Sequence, residues 1–167
     1  GTCQPVQSNE IGEHLMHSEF IAVSRALIEA LADTGRRIVA VGTTSVRTLE
    51  SLYHLGCLAS QGVRPDELPQ WYPYSSSHPD ISVKDALAAL LGSFEGDTFM
   101  ASTRVIIAPG YKYRIVKGMV TNFHQPRSTL LLLVSAFTGG EWRSVYDHAM
   151  AGNYRFLSYG DACLFLS

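Results

Sequence analysis

The segment that most constrains the fold is a short apolar strand that turns directly into a hydroxyl-rich helix. Residues 37–42, RIVAVG, have the β-branched run of a buried strand, and the following Thr43, Thr44 and Ser45 are typical of a helix start. Helical spacing continues to about residue 55, where Gly56 predicts the end of the helix. A buried strand that feeds a helix is the building unit of α/β domains, so this segment favours a sheet with helices packed on it.

Further elements are predicted on both sides of this unit. Four helices are predicted: residues 25–33 after a Ser24 cap, 82–91 with Ser82 as the cap, 128–137 with Ser128 or Thr129 as the cap, and 141–150. Strands are predicted at 103–108, 111–116 and 119–123 as an antiparallel meander, and a last buried strand at 162–166. Prolines, serines and aromatic residues predict an irregular excursion at about residues 59–81. We therefore predict a mixed α/β fold, a large mixed β-sheet flanked by helices, in one domain over residues 1–167.

Composition narrows the class of protein. With 167 residues, of which 46% are hydrophobic, the chain can fill one core. The apolar run at 130–137 is too short to cross a bilayer, so we expect no membrane partner and a cytoplasmic location. Cys3, Cys57 and Cys163 lack the spacing of a zinc site, and we predict that they are reduced and mostly buried, with no bound metal.

Charge is distributed unevenly along the chain. The net charge is −2, which by itself does not indicate a nucleic-acid binder. No acidic residue lies between Asp97 and Glu141, whereas five cations do: Arg104, Lys112, Arg114, Lys117 and Arg127. This stretch suits a partner that carries phosphates or carboxylates, although solvated strand edges are commonly protected by lysine and arginine as well.

The turn at Gly42 is a candidate anion site. Thr43, Thr44 and Ser45 offer hydroxyls and free backbone N–H groups at the positive end of a helix, and Arg47 follows one turn later. The segment lacks the GK[ST] ending of a phosphate-binding loop and the glycines of a dinucleotide fingerprint. An ordinary capped helix is the alternative.

Two polar clusters elsewhere are candidates for acid–base chemistry and substrate contacts. TNFHQPRSTL, residues 121–130, places Asn122, His124, Arg127 and Ser128 between a predicted strand and a predicted apolar helix, where they either line a site or satisfy loop backbone. His17 and Glu19 could point the same way on an extended chain, as a general base and its orienting carboxylate.

A third cluster precedes the last predicted strand. Four polar residues surround Gly160: Arg155, Ser158, Tyr159 and Asp161. An aspartate that enters a buried strand must be either paired or functional. Arg155 is its nearest candidate partner, so a structural salt bridge is the alternative to a catalytic role.

Five segments together resemble one enzyme family: GTCQPV, HLMHSE, VGTTSVRTLES, GYKYRIVKGMVTNFHQPRSTLLLLVSAFTG and YRFLSYGDA. In this order they are similar to the S-adenosylmethionine:tRNA ribosyltransferase-isomerases of queuosine biosynthesis. The likeness runs from Gly1 to Ala162 and is interrupted mainly at about residues 59–98. It implies the C-terminal part of the family's catalytic domain, without the N-terminal part and its inserted β-barrel.

The resemblance implies a reaction and its participants. Such an enzyme moves the ribosyl group of S-adenosylmethionine, a co-substrate rather than a prosthetic group, onto the aminomethyl group of a 7-deazaguanine in the tRNA anticodon. Epoxyqueuosine forms, and adenine and methionine are released. The implied partners are tRNA, S-adenosylmethionine and the missing N-terminal region of the same protein.

The resemblance also suggests roles for the candidate residues. His17 with Glu19, or His124, would transfer protons, and Asp161 would contact the base or the aminomethyl amine. An anionic group and the rest of the substrate would be bound by Thr43, Thr44, Ser45, Arg47, Asn122, Arg127, Ser128, Arg155 and Tyr159. The alternatives are a truncated domain without catalytic activity, and another α/β protein that binds a nucleotide or a phosphosugar.

Overall fold

The structure, a computed structural model, describes residues 15–33 and 35–167, and it confirms a mixed α/β fold. The elements in chain order are β1 (Glu19–Ser24), α1 (Arg25–Ala32), β2 (Ile38–Val41), α2 (Thr43–Ser60), β3 (Glu67–Leu68), α3 (Val83–Gly92), β4 (Thr98–Thr103), β5 (Val116–Asn122), α4 (Thr129–Thr138), α5 (Trp142–Ala151) and β6 (Ala162–Leu166). The described strands are divided between two three-stranded sheets, each containing one parallel and one antiparallel pair.

The first sheet has the order β1-β4-β3 and packs on helices α1, α2 and α3. Its core includes Ile28, Leu55, Leu87 and Phe99, all nearly or completely buried. Serine caps predicted at two of its helices are confirmed, since the hydroxyl of Ser24 accepts from the N–H of Leu27 at 3.3 Å and Ser82 accepts from Asp85 at 3.0 Å. Leu55 lies on α2, so the core of the first sheet packs on the side of α2 that carries this residue.

The second sheet has the order β2-β5-β6, with β2 parallel and β6 antiparallel to the central strand β5. Ala40, Met119 and Phe165 lie side by side on its inner face and contribute to a core with Leu133 and Val134 of α4. Helices α2 and α4 directly follow β2 and β5. The carboxyl ends of the two parallel strands therefore lie next to two helix starts.

The predicted antiparallel meander is wrong. Residues 104–115 form no strand, β4 ends at Thr103 in the first sheet, and β5 begins at Val116 in the second. The N–H groups of this connection find other acceptors: Ala108 donates to the hydroxyl of Tyr74 at 3.0 Å, and Arg114 and Ile115 donate to the carboxylate of Glu50. Because side chains accept these backbone hydrogen bonds, this segment does not need a neighbouring strand to satisfy its N–H groups.

The predicted end of helix α2 at Gly56 is also wrong, since α2 continues to Ser60. A Cβ atom on Gly56 would lie 2.2 Å from the carbonyl oxygen of Ala86 in α3. The glycine thus allows α2 and α3 to approach each other closely, and it does not terminate the helix.

The cysteine prediction is confirmed in part. Cys57 is free and buried, Cys163 is free and half-buried, and Cys3 lies outside the described residues. The excursion at residues 59–81 contains β3, which pairs with β4, and a short 3₁₀ helix at Tyr72–Tyr74. No helix in residues 15–33 and 35–167 is both long and apolar enough to span a membrane.

Candidate functional site

The second sheet has an open cavity at the carboxyl ends of its two parallel strands. The cavity has a volume of about 460 Å³ and is bordered by Val41 at the end of β2 and Asn122 at the end of β5. The starts of α2 and α4 and the loop before β6 complete its walls. Ligands of open α/β sheets bind at this edge, so the cavity is the candidate site.

The first wall is the start of α2. Gly42 precedes the helix at φ 87°, a backbone conformation that favours glycine, and its N–H donates to the carbonyl of Val120 at 2.8 Å. Thr43, Thr44 and Ser45, the residues of the predicted anion site, all line the cavity. The first N–H groups of a helix have no carbonyl partner within it, so this wall offers backbone donors and hydroxyls together.

The second wall is the end of β5 and the residues that follow it. The hydroxyl of Thr121 lies 2.7 Å from Nε2 of His124, and the backbone N–H of His124 donates to the Tyr146 hydroxyl at 2.9 Å. The first contact orients the imidazole ring, and the second holds the backbone of His124 beside the cavity. Asn122 donates from Nδ2 to the carbonyls of Gly160 at 3.3 Å and Asp161 at 3.2 Å, which ties the loop before β6 to this wall.

His124 is held in its neutral form. Burial lowers the pKa of its imidazole below the usual value, so the ring is uncharged at neutral pH. The same residue borders a second, more apolar cavity of about 320 Å³, where it faces Trp142, Tyr146 and Phe156. His124 therefore stands between a polar cavity and an aromatic one.

The start of α4 uses its polar groups mainly for its own structure. The hydroxyl of Ser128 accepts from the N–H of Leu131 at 3.2 Å and donates to the carbonyl of Gln125 at 2.8 Å, which confirms the predicted cap. Ser128 still borders the cavity, together with Gln125 and Leu130. Arg127 is exposed, has a left-handed backbone with φ 59°, and is not among the lining residues.

The loop before β6 contains the Arg155–Asp161 ion pair, which the sequence offered as the alternative to a catalytic role for Asp161. The carboxylate of Asp161 accepts from the backbone N–H of Arg155 at 2.8 Å and from its guanidinium at 3.4 Å. The backbone hydrogen bond, and then the side-chain one, lower the pKa of this carboxyl. Tyr159 is 97% exposed, and neither it nor the ion pair is among the cavity-lining residues.

Two residues of this loop border the cavity, Leu157 and Ser158. Ser158 belongs to the cluster that the sequence indicated around Gly160, whereas Leu157 was not predicted to line a site. The N–H of Leu157 donates to the carbonyl of Phe123 at 2.9 Å, and Leu157 has a left-handed backbone with φ 70°. Gly160 makes the tight turn possible, since a Cβ there would lie 2.3 Å from the carbonyl oxygen of Arg155. The glycine was the available signal of a turn that folds back onto β5.

Arg47 lies on another side of α2 from the cavity-lining hydroxyls. It is 4% exposed, and its Nη1 contacts Oε1 of Glu19 at 2.8 Å, whereas Nε and Nη2 have no hydrogen-bond partner in the described part of the chain. Glu19 is thus paired with Arg47, and His17 is an exposed residue just before β1. The structure does not bring His17, Glu19 or Arg47 to the lining of the cavity at the start of α2.

A buried polar network, also missed, connects α2 to the start of β5. Each carboxylate oxygen of Glu50 accepts two hydrogen bonds at 2.7–2.9 Å. The Tyr111 hydroxyl and the N–H of residue 114 donate to Oε2, and the N–H groups of residues 115 and 116 donate to Oε1. Nε2 of His54 lies 2.7 Å from the same Tyr111 hydroxyl, and Nδ1 lies 2.7 Å from Nε2 of His78.

Donor rules fix the direction of this network. Because Tyr111 donates to Glu50, His54 must donate from Nε2 to Tyr111 and accept at Nδ1 from His78. Burial lowers the pKa of His54 to about 3, so it is neutral. The signal in the sequence was a glutamate and a histidine four residues apart on an otherwise apolar helical face.

The predicted basic stretch does not form one uncompensated patch. Arg104 pairs with Glu67, and Arg114 pairs with Asp80 at 3.0 Å. Lys112, Lys117 and Arg127 are exposed. Within residues 15–33 and 35–167, no group of three or more histidine, cysteine, aspartate or glutamate side chains is arranged to hold a metal ion.

Comparison with known proteins identifies relatives of the whole chain. A family model described as "Queuosine biosynthesis protein" matches residues 1–165. Proteins named S-adenosylmethionine:tRNA ribosyltransferase-isomerase from Paraburkholderia phymatum and Ralstonia nicotianae are 43% and 46% identical to it over 168 and 166 residues. These matches cover 98% and 97% of this chain but only 38% and 36% of the two relatives, so the chain spans little more than a third of their length.

A solved structure has the same fold. The crystal structure of S-adenosylmethionine tRNA ribosyltransferase from Thermotoga maritima is 32% identical in sequence and superposes with a TM-score of 0.58. The match covers 88% of this chain and 40% of that one.

Proposed function

Because this chain belongs to the queuosine biosynthesis protein family, we propose that it carries the S-adenosylmethionine-binding part of a tRNA ribosyltransferase-isomerase. In the intact protein the reaction would transfer the ribosyl group of S-adenosylmethionine to an aminomethyl-7-deazaguanine in tRNA, with loss of adenine and methionine. One observation carries the proposal: the cavity at the ends of β2 and β5 combines an anion-binding helix start with a neutral histidine.

The start of α2 is suited to the carboxylate of the methionine moiety. Thr43, Thr44 and Ser45 contribute hydroxyls, and the unpaired N–H groups and the helix dipole favour a negative charge there. A volume of about 460 Å³ lies within the range of small-molecule sites. Val41, Leu157 and the amide of Asn122 would contact the less polar remainder of the molecule.

His124 is our candidate for proton transfer. The carbon next to the sulfonium of S-adenosylmethionine is acidified by the positive charge, and a neutral imidazole is the form that can accept its proton. If Nε2–H donates to Thr121, the lone pair lies on Nδ1, and the Thr121 contact orients it. The resulting imidazolium would then be the acid that protonates the departing adenine.

The other acid–base candidates have weaker support. Glu19 is committed to Arg47, and His17 is exposed and absent from the cavity lining. Asp161 remains a candidate for the incoming amine, because it lies on the loop that Asn122 ties to the cavity wall, although Arg155 already pairs with it.

Contacts with tRNA are proposed for the exposed residues near this edge. Arg127 lies in the loop between β5 and α4, and the ring of Tyr159 is 97% exposed on the loop before β6. A cation suits backbone phosphates, and an exposed aromatic ring can stack on an unpaired anticodon base.

The experiment is calorimetric titration of the chain with S-adenosylmethionine, with ATP as the competing ligand class. Thr44→Val removes a cavity-lining hydroxyl while preserving its shape, and Thr48→Val is the matched control one turn further along α2, outside the lining. We expect Thr44→Val to weaken binding about 5- to 10-fold, the value of one hydrogen bond, and Thr48→Val to leave it unchanged.

Other results would decide between the alternatives. Binding of ATP but not S-adenosylmethionine would favour a nucleotide-binding protein. If the chain binds neither ligand while the intact Ralstonia nicotianae relative binds S-adenosylmethionine, the chain by itself is a domain without a complete site. Equal losses in both threonine variants would refute the assignment of the start of α2.

A further inference from the structure

The outer face of the β2-β5-β6 sheet is apolar, and the described residues 15–33 and 35–167 leave it largely uncovered. Strand register places Val39, Gly118 and Leu166 in one row and Val41, Val120 and Leu164 in the next. The four large side chains on the outer strands are 41% (Val39), 70% (Val41), 56% (Leu164) and 55% (Leu166) exposed. We call these two rows the outer apolar face.

The face is continuous across the sheet. A Cβ on Gly118 would lie 2.8 Å from Cδ2 of Leu166 and 3.1 Å from Cγ2 of Val39, so these two side chains lean toward each other over the glycine. Single exposed aliphatic residues are common, but a contiguous patch of this kind marks an interface. A sheet with apolar side chains on both faces is typically buried between two layers of other structural elements.

The other sheet provides a contrast within the same molecule. Its outer face also carries exposed apolar residues, Phe20 and Met100, but they alternate with Ser24, Thr98 and Ser102. The outer apolar face has no polar side chain in its two rows. The absence of charge there disfavours a nucleic acid or an ionic partner and favours a polypeptide with an apolar surface.

We propose that the outer apolar face is covered in the intact protein by polypeptide corresponding to the part of the relatives that this chain does not span. More than half of each relative lies outside the match, since the chain covers 38% and 36% of two curated relatives and 40% of the solved one. That is enough polypeptide to supply a complete second layer on a three-stranded sheet.

The covering layer also reaches the candidate site. Val41 belongs both to the outer apolar face and to the lining of the cavity, and Asn122 ends the same strand face one row further along. Polypeptide packed on Val41 therefore forms part of the rim of the cavity. The inference rests on the family and on the exposed face, and it holds whichever ligand the cavity binds.

Cysteine labelling tests the covering layer without any measurement of activity. Val39→Cys and Leu164→Cys are introduced into this chain, and cysteines are placed at the aligned positions of the intact Ralstonia nicotianae relative. Reaction with a maleimide is followed by peptide mass, so that the native Cys3, Cys57 and Cys163 are scored separately. Lys84→Cys, at an exposed position on α3, calibrates the reagent in the folded chain, and each protein in denaturant gives its unprotected rate.

In this chain we expect both new thiols to react within about 10-fold of the denatured rate, and in the intact relative to react slower by about 10²-fold or more, as at a buried position. Equal rates in the two proteins would overturn the proposal. Protection in this chain that disappears on dilution would assign the face to a second copy. Protection that persists at all concentrations would show that residues of this chain cover it, and each of these results would overturn the proposed occupant.

Discussion

Removal of the Glu50 carboxylate should destabilise the fold more than any surface change in α2. Glu50 is fully buried and accepts four hydrogen bonds, three from backbone N–H groups at the start of β5 and one from Tyr111. Burial raises the pKa of this carboxyl, and the four donors oppose that by stabilising its charged form. The site is built for an acceptor with two oxygens.

The size of the expected loss in the free energy of unfolding follows from the number of hydrogen-bond donors that lose their acceptor. Glu50→Gln places an NH₂ group where one oxygen accepted two bonds, so about two buried donors lose their acceptor; at roughly 1 kcal/mol or more each, we expect a loss of about 2–3 kcal/mol. Glu50→Ala orphans all four donors and leaves a void, with an expected loss of about 3–5 kcal/mol after allowance for the desolvation cost that it relieves.

The assay is urea unfolding followed by circular dichroism and tryptophan fluorescence. Glu29→Gln, at an exposed position on α1, is the control and should lie within about 0.5 kcal/mol of the parent chain. If Glu50→Gln unfolds at the same urea midpoint and with the same slope as Glu29→Gln, the network does not contribute to stability and the reasoning fails.

Three further predictions concern packing, pH and catalysis. Gly56→Ala should lower the free energy of unfolding, measured in urea, by about 3 kcal/mol or more, because the new Cβ would lie 2.2 Å from the carbonyl oxygen of Ala86. Gly92→Ala, where no atom lies near the new Cβ, should leave the free energy of unfolding unchanged. Equal urea midpoints for the two variants would mean that α2 and α3 shift apart freely. The pKa of His54 is lowered to about 3, so the stability that its neutral ring contributes is complete above pH 6.5 and is lost as the pH falls toward 3. The free energy of unfolding should fall by up to about 1.4 kcal/mol per pH unit in this range. His54→Gln should flatten this pH dependence, and an unchanged dependence would show that another group causes it. In the intact Ralstonia nicotianae relative, alanine at the position aligned to His124 should lower ribosyl transfer by about 10²-fold or more, and alanine at the position aligned to His17 by less than about 3-fold; the reverse order would make His17 the base.

Local sequence signals predicted the elements that depend on local physics. The caps at Ser24, Ser82 and Ser128 and the strand–glycine–helix unit at Gly42 were all identified, because each depends on a few neighbouring residues. The lining residues Thr43, Thr44, Ser45, Asn122, His124 and Ser128 were identified for the same reason, whereas the predicted Arg127 does not line the cavity.

Errors arose where a distant group decides the local conformation. Residues 104–115 are rich in β-branched and aromatic side chains, yet Glu50 and Tyr74 satisfy their backbone from other parts of the chain. Gly56 has the signature of a helix end, and only the approach of α3 explains its presence within α2. Arg47 could be placed on the helix but not assigned to Glu19, since the pair is 28 positions apart in sequence and brought together by the fold.

The geometry of the cavity depends on a contact that does not touch it. From Glu50, helix α2 runs back seven residues to Thr43, about 10 Å at 1.5 Å per residue, and β5 runs seven residues from Val116 to Asn122, about 20 Å at 3.3 Å per residue. Both are hydrogen-bonded, regular elements, and the carboxylate of Glu50 joins one to the start of the other. One wall of the cavity is the start of α2, and the opposite wall is the end of β5. The spacing of these walls is therefore set jointly by the β2–β5 register and by this buried carboxylate. A change at Glu50 that leaves the chain folded should therefore alter ligand affinity without altering any lining residue.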